Sequence, residues 1–446
     1  MSRSVKLLLM AVSALAVVCL WAVLLGLFLH TQITEARTNY AKTVSSSPTE
    51  PMRKMPPLPT QAAPPDATPT PTPEPTPPPV YTATLAAVGD IMLHSYQLDN
   101  AYNRQTGGYD FDYSFQYIKP YLTQTDMTVG NLETVFGGKE TGYTDFPVFN
   151  APDDFAYAIK NAGFNLLTTA NNHSNDRREA GIRRTIETLD SLGIGHFGTY
   201  ASQESRDTVC IREVNGIRFA FLSYTYGTNG ITLTEGKDYL CNIISESAIK
   251  RDLEAAKALK PDFIIVMPHM GNEYELAPKQ TFRDWAYLML ENGADLVLAS
   301  HPHVLQPVEY VDITEADGTK REGFIAYSMG NFISSQRTLP RDAGVIFQIA
   351  FEKTEGQKGM IKEVAYMPTW VKFVNAAGSY DITVLTVYDA LLAHKQDLRP
   401  KDITRLQSVH SEAARTFLKH DIPLDEMQQI YVIPKTSENT VELVIE

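Results

Sequence analysis

The chain has 446 residues and a formal net charge of −13. That length exceeds one ordinary domain, and that charge excludes a general nucleic-acid binder, which needs a basic face toward phosphates. Broad adhesion to anionic lipid is disfavoured too, but an acidic substrate is not, because bound cations dominate a local field.

The first element is apolar. Leu7 to Leu29 is a run of 23 residues without a charge. At a rise of about 1.5 Å per residue it covers roughly 34 Å, enough for a bilayer core of about 30 Å. Arg3 and Lys6 precede it, so positive-inside logic puts the N-terminus in the cytoplasm and the rest outside. A cleaved secretory signal is the competing reading. Its apolar region is shorter, about 7–15 residues, so residues 1–30 are read as an uncleaved transmembrane anchor. Residues 31–80 turn polar and rich in Pro and Thr, with PTPTPEPTPPP closing the stretch at Pro79. Such a segment cannot bury a core and is read as a disordered, extended linker.

From Tyr81 the pattern changes. Strands are predicted at Thr82–Val88, Met127–Val129 and Phe164–Thr168, with helices at Phe115–Thr123, Asp153–Asn161 (Asp153 as N-cap) and Asp176–Leu192. Val209–Ile211 and Arg218–Tyr224 form a hairpin turning at Asn215-Gly216. A helix at Ala248–Leu259 capped by Ser247 leads to a strand at Phe263–Met267. A helix at Thr281–Asn292 closed by Gly293 leads to a strand at Leu296–Ala299. Further strands follow near Val304–Val311, Gly323–Ser328, Val345–Phe351 and Ile361–Tyr366, then helices over 384–396 and 401–418. The alternation predicts an α/β layered domain over 81–345, with closing strands and a helical extension over 346–446. Cys210 and Cys241 could pair or stay free, and no C-x-x-C spacing exists.

Polar residues cluster at the strand ends. Five predicted strands run into loops bearing Asp90; Asn131 and Glu133; Asn172 and His173; His269; and His301 with His303. In an open α/β sheet the carboxyl ends of strands face the ligand crevice, so these distant residues are expected to converge. Carboxylates, imidazoles and an amide oxygen suit two divalent cations about 3.5–4 Å apart, of Mn, Fe or Zn type. His301 and His303 are expected in an extended segment, both rings on one side, with Pro302 stiffening the loop. Any one of these residues alone would more often be structural. The repetition at five strand ends makes the case for a site.

The ordered motifs Val88-Gly89-Asp90-Ile91-Met92, Gly130-Asn131-Leu132-Glu133, Ala170-Asn171-Asn172-His173, His269-Met270-Gly271-Asn272-Glu273-Tyr274, His301-Pro302-His303 and Tyr327-Ser328-Met329-Gly330-Asn331-Phe332 resemble the capsule biosynthesis CapA / poly-gamma-glutamate synthesis PgsA family, a relative of calcineurin-like metallophosphoesterases. The resemblance implies a four-layer αββα fold. It implies that Asp90 and His303 hold one metal, that Asn172, His269 and His301 hold the second, and that Glu133 bridges. His173 is implied as the catalytic proton donor.

Departures from the superfamily pattern leave alternatives open. Met92 stands where Asp-x-His would place a histidine, and His94 is a possible substitute. Asn131 rivals Glu133 as the bridge. Glu273 is a substrate contact, a partner orienting His269, or a surface carboxylate. Asp176 is a helix cap that could also support the site, and Asn331 lines the pocket or holds a turn. The expected function is a metal-dependent hydrolase of a phosphoester or anionic envelope polymer. The alternative is a non-catalytic polymer-binding subunit working beside membrane polymer-synthase subunits.

Overall fold

The computed structural model describes residues 77–376 and 379–445. The expected anchor, and all but the last residues of the expected linker, lie outside the described residues. Among the described residues no helix is long and apolar enough to cross a membrane.

The strands are β1 (Val80–Ile91), β2 (Met127–Leu132), β3 (Leu166–Thr168), β4 (Gly195–Phe197), β5 (Cys210–Val214), β6 (Ile217–Thr225), β7 (Phe263–His269) and β8 (Leu296–Leu298). They continue as β9 (Val308–Thr314), β10 (Lys320–Ala326), β11 (Asn331–Ile333), β12 (Ala343–Thr354), β13 (Met360–Ala376), β14 (Ser379–Thr386), β15 (Tyr431–Val432) and β16 (Thr440–Val444). One sheet runs β14-β13-β12-β1-β2-β3-β4, with β11 beside β1 and β15 beside β13. The other runs β16-β9-β10-β8-β7-β6-β5. Both are mixed: β1 to β4 are parallel while β12 joins β1 antiparallel, and β6, β7, β8 and β10 are parallel while β5 joins β6 and β9 joins β10 antiparallel.

Period-two alternation sends each central strand's side chains to two different cores. In β1, Leu85 and Ala87 enter a core that also holds Phe263, Ile265 and Met267 of β7, so this core lies between the sheets. Ala86 and Val88 instead meet Phe155 and Ile159 of helix α1 (Asp153–Ala162). On the second sheet, Ile264 and Val266 meet Ile249 and Leu253 of α3 (Glu246–Ala258) and Met289 and Leu290 of α4 (Gln280–Glu291). Helix α2 (Arg178–Ser191) adds Leu189 to the first outer core. The order is therefore helix, sheet, sheet, helix. Near-continuous apolar strands follow from burial on both faces.

The C-terminal region is part of this packing. The described residues fall in one compact unit. The boundary expected at 345 falls inside β12, whose Ile346 to Phe351 pair with neighbours on both edges. Helix α5 (Pro400–Leu418) places Ala413 and Phe417 in the core between the sheets.

Several local expectations are corrected. The helix expected over Phe115–Thr123 is α-helical only at Lys119–Leu122, because Pro120 is tolerated in a first turn but not within a helix. Pro152, not Asp153, is the N-cap of α1, and the Asp153 carboxylate pairs with Arg184 instead. Ser245, not Ser247, caps α3, accepting from the Ala248 N–H at 3.2 Å. The helix expected over 384–396 is short, Val387–Leu392, and residues 384–386 instead end strand β14. The hairpin at Asn215-Gly216 is as expected, both residues having positive φ. Cys210 and Cys241 are free thiols.

Candidate metal centre

Five strand ends meet at one edge. Asp90 lies in the last turn of β1, Asn131 in β2 with Glu133 just beyond it, and Asn172 and His173 follow β3. His269 ends β7, while His301 and His303 follow β8. The first sheet therefore supplies carboxylates, amides and His173, and the second supplies three histidines. All of these residues are buried.

Why the chain converges here is a matter of backbone contact. β11 lies parallel to β1 with Asp90 opposite Asn331, and the Asp90 N–H donates to Gly330 O at 3.0 Å. A side chain at Gly89 would put its Cβ 2.0 Å from that same oxygen, so only glycine permits the approach. His301 and His303 are not extended as expected. Their φ values are 107° and 58°, left-handed conformations rare for non-glycine residues and concentrated at functional loops. Their rings still converge, at 5.7 Å between centroids.

The donor atoms form two trios. Glu133, His269 and His301 offer ligand atoms within 4.8 Å of one another, and so do Asp90, Glu133 and His303. Glu133 belongs to both, its Oε1 lying 3.6 Å from His269 Nε2 and 3.8 Å from His303 Nε2. A third grouping of Glu273, His301 and His303 brings the exposed Glu273 to the rim. Asn172 Oδ1 sits 2.8 Å from His269 Nε2, which places the amide oxygen beside the first trio.

Asn131 is not a rival bridge in this geometry. Its Nδ2 donates to Asp90 Oδ1 at 2.8 Å and lies 3.2 Å from His269 Nδ1, while its Oδ1 accepts from Asn171 at 3.3 Å. It orients the donors rather than offering an oxygen. Asn331 does the same from the other side. Its Oδ1 lies 3.1 Å from His303 Nδ1, which is also 3.0 Å from Asp90 Oδ2. Two acceptors at one nitrogen assign the proton to Nδ1 and leave Nε2 as the ligand atom.

His94 does not join either trio. Its Nδ1 accepts from the Ser335 N–H at 3.2 Å, and its ring meets Phe149 edge-on. Asp176 is not a cap either, since Arg177 holds that position. Its Oδ2 pairs with His173 Nδ1 at 2.8 Å and accepts from the Phe149 N–H at 2.6 Å. Asn171, Asn229 and Tyr226 escaped the sequence reading. Asn171 bonds Leu132 O and the His173 N–H, Asn229 Nδ2 lies 3.4 Å from His173 Nε2, and Tyr226 packs on His301. Asn171 could have been found from its place in Asn171-Asn172-His173. The other two sit in a distant loop with no motif.

The electrostatics fit cation binding. Burial pushes Glu133 well above the usual carboxylate range, and the neighbouring Asp90 charge adds to it. Burial also acts to raise Asp90, but hydrogen bonding and charge from His303 bring it below its ordinary value. Burial and the nearby His303 push His301 down to about 3. His269 is likewise held well below its ordinary value by burial, then by His301. Neutral imidazoles with free lone pairs are what a metal needs. Two buried atoms of the centre, Glu133 Oε1 and His301 Nδ1, have no hydrogen-bond partner among the described residues. Orphaned buried acceptors are costly, and divalent metal bound among these donors would satisfy them. The residues present fit divalent metal.

A mixed α/β chain with a buried carboxylate–histidine centre at its strand ends is thus the class defined by the fold and the site. The model for the family described as bacterial capsule synthesis protein PGA_cap matches residues 84–336, and the chain belongs to that family. The capsule biosynthesis protein CapA of Bacillus anthracis is 28% identical over 275 residues, covering 59% of this chain and 62% of that protein. The chain thus spans less than two thirds of that relative's length. The PGA biosynthesis protein CapA of Bacillus subtilis (strain 168) is 27% identical over 334 residues, covering 71% and 76%. Among solved structures, Haemophilus influenzae NAD nucleotidase aligns at 14% identity with a TM-score of 0.41, over 76% of this chain and 61% of that one. That overlap is too low to speak to architecture or residue roles.

Proposed function

We propose that this chain is a metal-dependent hydrolase of the calcineurin-like phosphoesterase type, acting on an anionic polymer or phosphoester of the cell envelope. The names of the two Bacillus relatives point to capsule and PGA biosynthesis as the setting. The apolar run Leu7–Leu29 and the Pro/Thr-rich residues after it support a domain tethered outside the membrane.

One observation carries the reading: two donor trios share the buried Glu133, whose Oε1 has no hydrogen-bond partner among the described residues. Asp90, Glu133 and His303 would hold one cation, with Glu133, Asn172, His269 and His301 holding the other. Bound divalent ions polarise a phosphoryl or carbonyl oxygen and strengthen water as a nucleophile. The chain's own residues do the rest. Asp176 holds the proton on His173 Nδ1 and fixes the ring, so Nε2 is the atom that gives or takes a proton. Phe149 packs edge-on against that ring at 4.6 Å and excludes water from one side.

The test is metal content of the purified chain, followed by phosphodiester hydrolysis with Mn²⁺. His301→Ala and His303→Ala are expected to lose metal and activity together. Unchanged metal content in both would sink the assignment. A second reading, metal binding without turnover in a polymer-binding subunit, is favoured by Met92, which is buried where the phosphoesterase pattern has a histidine. Full metal loading with no hydrolysis would decide for it.

A further inference from the structure

At the rim of the centre an arginine is stacked on an aromatic ring. The guanidinium of Arg341 lies over the ring of Tyr274, its central carbon 3.2 Å from the ring centroid. Among the described residues it has no carboxylate partner and no side-chain hydrogen bond. Arg184, Arg206, Arg283, Arg321, Arg399 and Arg405 each pair with a carboxylate. In a chain of net charge −13, an arginine left unpaired beside an acidic centre is held there by something other than charge balance.

Two hydrogen-bonded tethers hold it. Arg341 O accepts from Asn331 Nδ2 at 2.8 Å, and the other end of that amide meets His303 Nδ1. On the opposite side, the Tyr274 N–H donates to Pro302 O at 2.8 Å, with Tyr274 in the left-handed region at φ 70°. Tyr274 and His303 have ring centroids 6.0 Å apart. The backbone of Arg341 and the surface under its side chain are thus both fastened to the His301–His303 loop. Arg337, the other arginine of this segment, lies over the ring of Phe373 rather than that of Tyr274. Stacking uses the face of a guanidinium and leaves its N–H edges pointing outward, and those edges match the two oxygens of a phosphate or carboxylate.

We propose that Arg341 is a specificity-determining residue that binds an oxyanion of the substrate, a phosphate or a carboxylate group, next to the metal centre. It is preorganised by Tyr274, so little side-chain freedom is lost on binding. Glu273 at the same rim limits how much negative charge can enter, and Arg341 offsets that limit on one side.

The inference rests on the metal-centre reading for its substrate but fails separately from it. Binding of inorganic phosphate and of glutarate to the full chain, with and without Mn²⁺, is measured by calorimetry. Arg341→Ala is expected to weaken one or both anions by roughly 10- to 100-fold, the range of a charged bidentate contact, with metal content unchanged. Arg341→Lys is expected to recover only part, because an ammonium is not a fork. Loss confined to phosphate identifies a phosphoryl group, and loss confined to glutarate identifies a side-chain carboxylate. Arg251→Ala, an exposed arginine elsewhere, controls for net charge. The inference is overturned if Arg341→Ala binds both anions as the unaltered chain does, or if Arg251→Ala weakens them equally. If the unaltered chain holds no metal, the metal-centre reading fails, and the metal-free titrations alone judge Arg341.

Discussion

Glu133 is the residue on which the site turns. It is buried, raised in pKa by that burial and by Asp90, and its Oε1 has no hydrogen-bond partner among the described residues. Glu133→Gln keeps the shape and removes the charge. Mn²⁺ is expected to raise the melting temperature of the unaltered chain, since a ligand at about 100 times its Kd adds about 2.7 kcal/mol. The Gln variant should show no such rise while melting no lower than the metal-free parent. A full metal-induced shift in Glu133→Gln would remove it from the bridge. Asp176→Asn tests the other half of the chemistry. Losing the partner that orients His173 is expected to cut turnover about 10- to 100-fold at unchanged metal content; a variant that keeps full rate would return Asp176 to a structural role. The ligand types could be read from sequence because each sits at a strand end. The parts played by Asn131 and Asp176 could not, because the atom an amide or carboxylate presents depends on neighbours more than 25 residues away, such as Asp90 and Phe149.

Elements bring these atoms together through close backbone contact. Gly89 lets β1 approach β11, and an added Cβ would strike Gly330 O. Gly89→Ala should cost about 1–3 kcal/mol by chemical denaturation and shift Asp90 enough to lower metal affinity. Unchanged affinity would mean the approach does not set the ligand. The loop carrying Asn229 is tied differently. Lys237 and Arg183 hold Glu179 on α2, and these hydrogen bonds pull Glu179 down to about 2. A folded-state pKa below the unfolded value means the tie is present above about pH 4.5 and is lost as pH falls toward 2. Glu179→Gln at neutral pH is expected to speed amide exchange across 227–240, as acid would. Equal exchange in the two proteins would dismiss the tie. The long central strands were readable because their apolar runs are unambiguous. The two-residue β15 was not, since so short a strand owes its pairing to β13 and carries little signal of its own, and the end of β14 was read as the start of a helix. The left-handed turns at His301 and His303 have no sequence mark, because the surrounding fold imposes them.

At the scale of the molecule, the ligands are divided between two sheets that otherwise meet through an apolar core. Phe417 closes that core against Phe347 and Tyr366, with ring centroids 5.3 and 4.9 Å away. Phe417→Ala is expected to cost about 3–5 kcal/mol by denaturant titration, and a loss under 1 kcal/mol would show that α5 is peripheral. The residues that carry the family resemblance lie before 345, and this hid from the sequence the dependence of the first sheet on β12 and α5. The shared buried donors have one more consequence. Asp90 answers to His303 and Asn131, His303 to Asn331, and His269 to Asn172 and Asn131. Deleting any one leaves another polar group stranded in a dry interior. A lineage that stopped using this site could not shed its residues singly; it would have to replace several at once, so an idle copy of the site would go on looking like a working one.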